Sequence, residues 1–165
     1  MNTSFERVNN TSDEWYTPPT IFKKLGHFDL DPCAASEPLW KIADTNYAAS
    51  DDGLSKPWHG RVWLNPPYSR PLLERFVEKL AAHGNGIALL FNRCDCKLFQ
   101  DVIFTKAEGI LFIKGRVKFF SHEGKQNGPA GCGSVLIAFG KDNAEALQHS
   151  GIPGMYFTIH KKSNT

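Results

Sequence analysis

Apolar and polar positions along the chain alternate between a helical and a strand period. Thr17-Pro18-Pro19 opens a helix, with threonine as cap and proline in the first turn. Ile21, Phe22 and Leu25 form its apolar side, and Gly26 stops it. Residues 27–31 read as a short strand ending in a carboxylate. The stretch 34–59 is weakly patterned and predicts one helix around 37–43, then a loop holding Asp51-Asp52-Gly53. Residues 61–64 are a second strand, ended abruptly by Asn65-Pro66-Pro67-Tyr68. Leu72, Leu73, Phe76, Val77 and Leu80 recur at helical spacing within 71–82. Gly86–Phe91 is a continuous apolar run, as a strand buried on both faces should be. A helix over 97–104, strands at 110–113 and 135–139, and a helix over 142–149 complete the pattern. Strands alternating with helices predict an α/β fold with a mainly parallel, doubly wound sheet. The expected domain covers residues 15–160, behind a loose polar arm at 1–14. Sheets of this kind bind ligands at the carboxyl ends of their strands.

Composition narrows the classes. The 165 residues amount to one domain. A hydrophobic share of 41% with 22% charged residues excludes a disordered chain. Lys plus Arg number 19 against 17 Asp plus Glu, so the net charge is +2. That excludes attachment to nucleic acid by bulk charge and leaves room for a local basic patch. No apolar run reaches the ~18–20 residues of a membrane span, and the polar start lacks a signal-peptide core. The expectation is a cytoplasmic protein, monomeric or a weak homodimer, with no membrane contact. Cys33, Cys94, Cys96 and Cys132 are too few for a disulfide framework, and neither they nor the six histidines have zinc-site spacing. Reduced thiols and no metal are expected.

The chemistry concentrates at strand ends. In Asn65-Pro66-Pro67-Tyr68 two prolines remove two backbone donors and fix an extended exit from the sheet. The Asn65 amide oxygen and the Pro66 carbonyl then form a pair of acceptors, complementary to a planar amine with two N–H donors. Tyr68 offers a flat face for the ring that carries such an amine. Asp31, followed by the small residues Ala34-Ala35-Ser36, ends a strand where a ligand can approach the backbone closely and can face an ammonium group. Lys114, Arg116 and Lys118, at alternate positions, would share one face of a strand. With Arg93, Lys97 and Lys125 they could form a phosphate-binding patch. Phe119 or Phe120 could stack on a displaced base. Trp15 or Tyr16 could cover an adenine.

Three segments in this order resemble the amino-methyltransferases, which methylate an exocyclic base amine using S-adenosylmethionine. Asn65-Pro66-Pro67-Tyr68 resembles their catalytic motif, Thr17-Pro18-Pro19 the segment at the cofactor's methionine end, and Leu30-Asp31-Pro32-Cys33-Ala34 the first cofactor loop. More narrowly, Asp13-Glu14-Trp15-Tyr16-Thr17-Pro18, Asp52-Gly53-Leu54, Trp58-His59-Gly60 and Gly115-Arg116-Val117-Lys118-Phe119 resemble the small phage-type DNA N-6-adenine-methyltransferases. The resemblance implies a Rossmann-like class I domain in a bacterial or phage-infected cell. It implies Asn65, Pro66 and Tyr68 as the catalytic residues, and DNA as substrate. For the cofactor it implies Tyr16, Thr17, Pro18, Asp31, Cys33, Ala34 and Asn65, and for DNA Arg93, Lys114, Arg116, Lys118 and Phe119. The chain departs from the wider superfamily where Ala34-Ala35-Ser36 replaces glycines. Residues 32–60 are too few for two strand–helix units, so the middle of the domain is shortened. The carboxylate expected at the ribose is then Asp44, Asp51 or Asp52, with Asp52 preferred because Gly53 permits a tight turn. Cytosine N4, a protein glutamine amide, or a degenerate nucleic-acid-binding module without catalysis are the alternatives.

Overall fold

The continuous apolar runs form the middle of the sheet. In the computed structural model, which describes residues 15–161, seven strands form one sheet. They are β1 (Phe28–Asp31), β2 (Ala43–Asn46), β3 (Val62–Leu64), β4 (Gly86–Phe91), β5 (Gly109–Ile113), β6 (Ser134–Phe139) and β7 (Gly154–Thr158), in the order β2-β1-β3-β4-β6-β5-β7. The pairs β2–β1, β1–β3 and β3–β4 are parallel. The pairs β4–β6, β6–β5 and β5–β7 are antiparallel. The sheet is therefore mixed. Strands β1 to β5 share one direction, while β6 and β7 run against it.

Successive residues of the central strands serve opposite faces, as period two requires. Trp63, Ile87, Leu89 and Leu136 pack with Ile21 and Phe22 of α1 (Pro19–Phe22) and with Leu147 of α4 (Lys141–Gln148). Leu64, Leu90 and Ile137 pack on the other side, with Val77 and Leu80 of α2 (Leu72–His83) and with Phe99. Phe99 belongs to a π-helical turn, Leu98–Ile103, that runs into the short α3 (Phe104–Lys106). Both faces are thus covered by helices, and the strands between them read as unbroken apolar runs.

Strand β1 breaks the alternation. The N–H groups of Asp29 and Leu30 both donate to the Arg61 carbonyl, at 2.8 and 3.3 Å. This bulge shifts the phase by one residue, so Phe28 faces the α1 side and Leu30 the α2 side. Asp31 is thereby returned to the face that carries Trp63.

The expected helix at 37–43 is absent: residues 36–40 form bends and β2 begins at Ala43. Edge position explains the weak signal, since Asp44 and Asn46 of β2 are exposed. Strand β7, another edge, was not expected at all. The expected strand face of Lys114, Arg116 and Lys118 is also corrected. Strand β5 ends at Ile113 and Gly115, at φ +79°, turns the chain away. The expected arm at 1–14 lies outside the described residues. No described helix is long and apolar enough to cross a membrane.

Candidate active site

Adjacent parallel strands deliver their last residues to one edge of the sheet. Asp31 ends β1, Asn46 ends β2, and Asn65 follows β3 by one residue. All line one cavity, together with Thr17, Trp40 and Trp63. Tyr16, Cys33 and Ala34, expected at the cofactor, line it too. This half-open cavity has a volume of about 40 Å³, room for roughly one water. The rim is aromatic. Trp40 meets Tyr16 edge-on at 6.5 Å and Phe120 at 5.1 Å.

Asn65 is oriented by its neighbours. Its Nδ2 donates, over long contacts, to the Trp15 carbonyl at 3.4 Å and to Thr17 Oγ1 at 3.3 Å. A carbonyl only accepts, so the amide nitrogen must be the atom that faces it. Oδ1 is left as an acceptor with no donor among the described residues. The carbonyl of the buried residue Pro66 likewise receives no hydrogen bond among them. Thr17, 2% exposed, is therefore a partner of Asn65 as well as part of the cavity wall.

Asp31 is 5% exposed and accepts the Cys33 N–H at 3.0 Å, an Asx-type turn that folds the following loop. Burial pushes its carboxyl up to about 7, against that hydrogen bond, which favours the charged form. Burial and the neighbouring Asp31 push the Cys33 thiol up as well. Among the described residues no cation pairs with Asp31. Gly53 supports the loop from behind, where a Cβ would overlap the Pro32 carbonyl. Trp63 adds a buried indole N–H with no partner among the described residues. An orphaned donor, an underneutralised carboxyl and aromatic walls suit a ligand that carries an ammonium, acceptor atoms and a flat ring. S-adenosylmethionine has all three.

Tyr68 lies across β4. Its hydroxyl accepts the Phe91 N–H and its ring lies 4.5 Å from that of Phe91, while the side chain remains 37% exposed. Other expected residues stand elsewhere. Pro18 lines a second cavity with Arg116 and Lys118. Asp52 is exposed in a left-handed turn at φ 51° and does not line the first cavity; Asn46 does. Phe119 was expected on DNA and is instead 9% exposed within the core, on the side of Val117 and Ile21. Its neighbour Phe120 points to Trp40 instead. Arg93 is exposed just beyond β4, and Lys114 is exposed beyond β5. Sequence reasoning missed Asn46, because β2 was not recognised. Trp63 was legible in principle, being two residues before Asn65 on a strand and so on its face.

No solved structure matches the chain closely enough to count as a relative. A protein of Escherichia phage T1 named DNA N-6-adenine-methyltransferase is 35% identical over 86 residues. That match covers 47% of this chain and 35% of the phage protein, so it spans about a third of the relative's length. The family model for DNA N-6-adenine-methyltransferase (Dam) matches residues 5–162, which take in every strand of the sheet and every residue of the cavity. With the Asn65 segment, the Asp31 loop and Thr17 brought to one edge of that sheet, the chain belongs to the DNA N-6-adenine-methyltransferase family.

Proposed function

We propose that the protein transfers a methyl group from S-adenosylmethionine to the exocyclic N6 amine of adenine in DNA. The observation that carries this reading is the Asn65 amide at the carboxyl edge, oriented through Nδ2 by Trp15 and Thr17 so that Oδ1 is an acceptor with no donor among the described residues. Five strands running one way with helices on both faces support a Rossmann-like methyltransferase domain with one strand–helix unit missing from its middle.

The cavity residues suit the cofactor. Asp31 would face the ammonium of its methionine moiety, Trp63 and Thr17 offer donors to its acceptor atoms, and Trp40 and Tyr16 flank its adenine. Asn46, at the end of β2, is better placed than Asp52 for the ribose hydroxyls. When bound, S-adenosylmethionine supplies an electrophilic methyl group, so the protein's task is to bind, orient and exclude water. The adenine amine is a poor nucleophile because its lone pair is delocalised into the ring. Asn65 Oδ1 and the Pro66 carbonyl accept its two N–H bonds and favour a pyramidal nitrogen with its lone pair directed at the methyl carbon. This is positioning with preorganised acceptors. The amine is inaccessible inside a duplex, so the base is flipped outward, and the exposed face of Tyr68 stacks on it. The Phe91 N–H holds the Tyr68 hydroxyl and so fixes the ring.

Incubation with labelled cofactor and DNA, followed by nucleoside mass spectrometry, tests the reading. N6-methyladenine is expected. Label in N4-methylcytosine, or only in a protein glutamine amide, would overturn the substrate, and no transfer at all would overturn the activity.

A further inference from the structure

A second cavity, of about 370 Å³, opens at the same edge of the sheet. Lys24, Arg116 and Lys118 surround it, and none of its lining residues is acidic. Among the described residues none of the three cations is paired with a carboxylate. Arg116 Nη1 donates to the Ala130 carbonyl at 3.1 Å, which steadies the guanidinium, and its remaining donors have no partner among the described residues. The floor is apolar, built from Ile21, Val117 and Ile152. For a chain with a net charge of only +2, three unpaired cations on one hollow are a local concentration of charge.

The wall between the two cavities is the segment Thr17-Pro18: Thr17 lines the first and Pro18 the second. The backbone of Tyr16 pairs with that of Phe120, at 3.1 and 3.0 Å, so the segment bearing Arg116 and Lys118 is tied to the cofactor wall. A ligand in the second hollow thus has a fixed relation to Asn65.

We propose that the second cavity is a phosphodiester subsite, which holds the sugar–phosphate backbone of the substrate strand beside the target nucleotide. Phosphate oxygens take the charge-assisted hydrogen bonds of Lys24, Arg116 and Lys118, and the deoxyribose rests on the apolar floor. This rests on the reading of the protein as a DNA methyltransferase and adds Lys24, which lies far in sequence from the other two. The contacts carry register and no base identity.

The test is fluorescence anisotropy with a labelled duplex at stepped NaCl concentrations. Each neutralised phosphate contributes ~0.9 to the slope of log affinity against log salt. Lys24→Ala is expected to lower that slope by about one unit, equally on mixed-sequence and on all-G·C duplexes. Lys24→Arg should restore it, and the combined removal of Lys24, Arg116 and Lys118 should lower it by up to about three. Cofactor affinity by calorimetry should be unchanged in Lys24→Ala. An unchanged slope in Lys24→Ala and in the triple variant overturns the subsite, as does a loss confined to adenine-containing duplexes. If the variants lower the slope as expected and the wild-type protein transfers no methyl group, the functional reading fails and the subsite stands. If it methylates DNA and the slopes do not move, the subsite alone fails.

Discussion

The two ends of the sheet treat polar groups in opposite ways. At the amino end, Arg61 donates through Nε to Asn143 Oδ1 at 2.6 Å and through Nη1 to the Leu25 and His27 carbonyls. Its guanidinium carbon lies 4.4 Å from the centre of the Phe28 ring. Asn143, 1% exposed, passes its own N–H bonds to Asn85 Oδ1 and the Phe139 carbonyl. Asp29 Oδ2 accepts the Arg61 N–H at 2.7 Å. Among the described residues, Arg61 Nη2 is the one buried side-chain polar atom of this network without a partner. At the carboxyl end, Asn65 Oδ1, the Pro66 carbonyl and the Trp63 indole N–H are unengaged among the described residues, and none of these residues sets a cation against the buried Asp31. Buried polar groups are costly when unpaired. The closed network therefore holds the fold together, and the open set is where a ligand would complete the bonding.

The contrast can be broken most severely at the closed end. Asn143→Ala strands Arg61 Nε, Asn85 Oδ1 and the Phe139 carbonyl, and is expected to cost ~2–4 kcal/mol in urea unfolding. Methyl transfer per folded molecule should stay within about twofold, since no transition-state contact is touched.

At the open end the largest expected effect short of the catalytic amide concerns pH. The Asp31 carboxyl, with an ordinary value of 3.8, is pushed up to about 7 by burial. Between these values the folded protein holds a proton that the unfolded chain has released, so this group's contribution to stability falls as pH rises through that window. Cofactor binding runs the other way, because a ligand ammonium favours the carboxylate and releases the proton. Affinity should therefore rise by up to ~tenfold per pH unit below 7 and level off above it. Calorimetry in buffers of different ionisation enthalpy would detect the released proton. Asp31→Asn should abolish both the slope and the release.

A smaller effect is expected at Thr17. Thr17→Val removes the hydroxyl that accepts from Asn65 Nδ2, freeing the amide to turn, and should lower kcat by up to ~10-fold while KM for the cofactor moves little. Thr17→Ser should restore the rate. A loss confined to KM would make Thr17 part of the cavity wall only.

Much of this arrangement was legible in the sequence. The runs at Val62–Leu64, Gly86–Phe91 and Ser134–Phe139 are apolar because they are buried on both faces, and such runs announce central strands. The edges were not legible. Residues of β2 are half solvated, and β7 exposes Met155 and Phe157, so neither carries the alternation that marks a strand. The Asn65 segment stood out because prolines after an apolar strand dictate both backbone and chemistry. Its support by Thr17 spans 48 residues and depends on the fold alone. The bulge that returns Asp31 to the cavity face left no mark in the local sequence either.

Asn65 thus offers a preorganised acceptor to the amine, and its two long Nδ2 contacts, to Trp15 and Thr17, serve to orient it rather than to hold the fold. Single-turnover methyl transfer by Asn65→Ala, with DNA and cofactor saturating, tests this role most directly when thermal unfolding is recorded on the same sample. The expected result is a rate at least ~10²-fold below wild type, with Tm and cofactor affinity little changed. A near-wild-type rate, or a loss that tracks a fall in Tm, would contradict it.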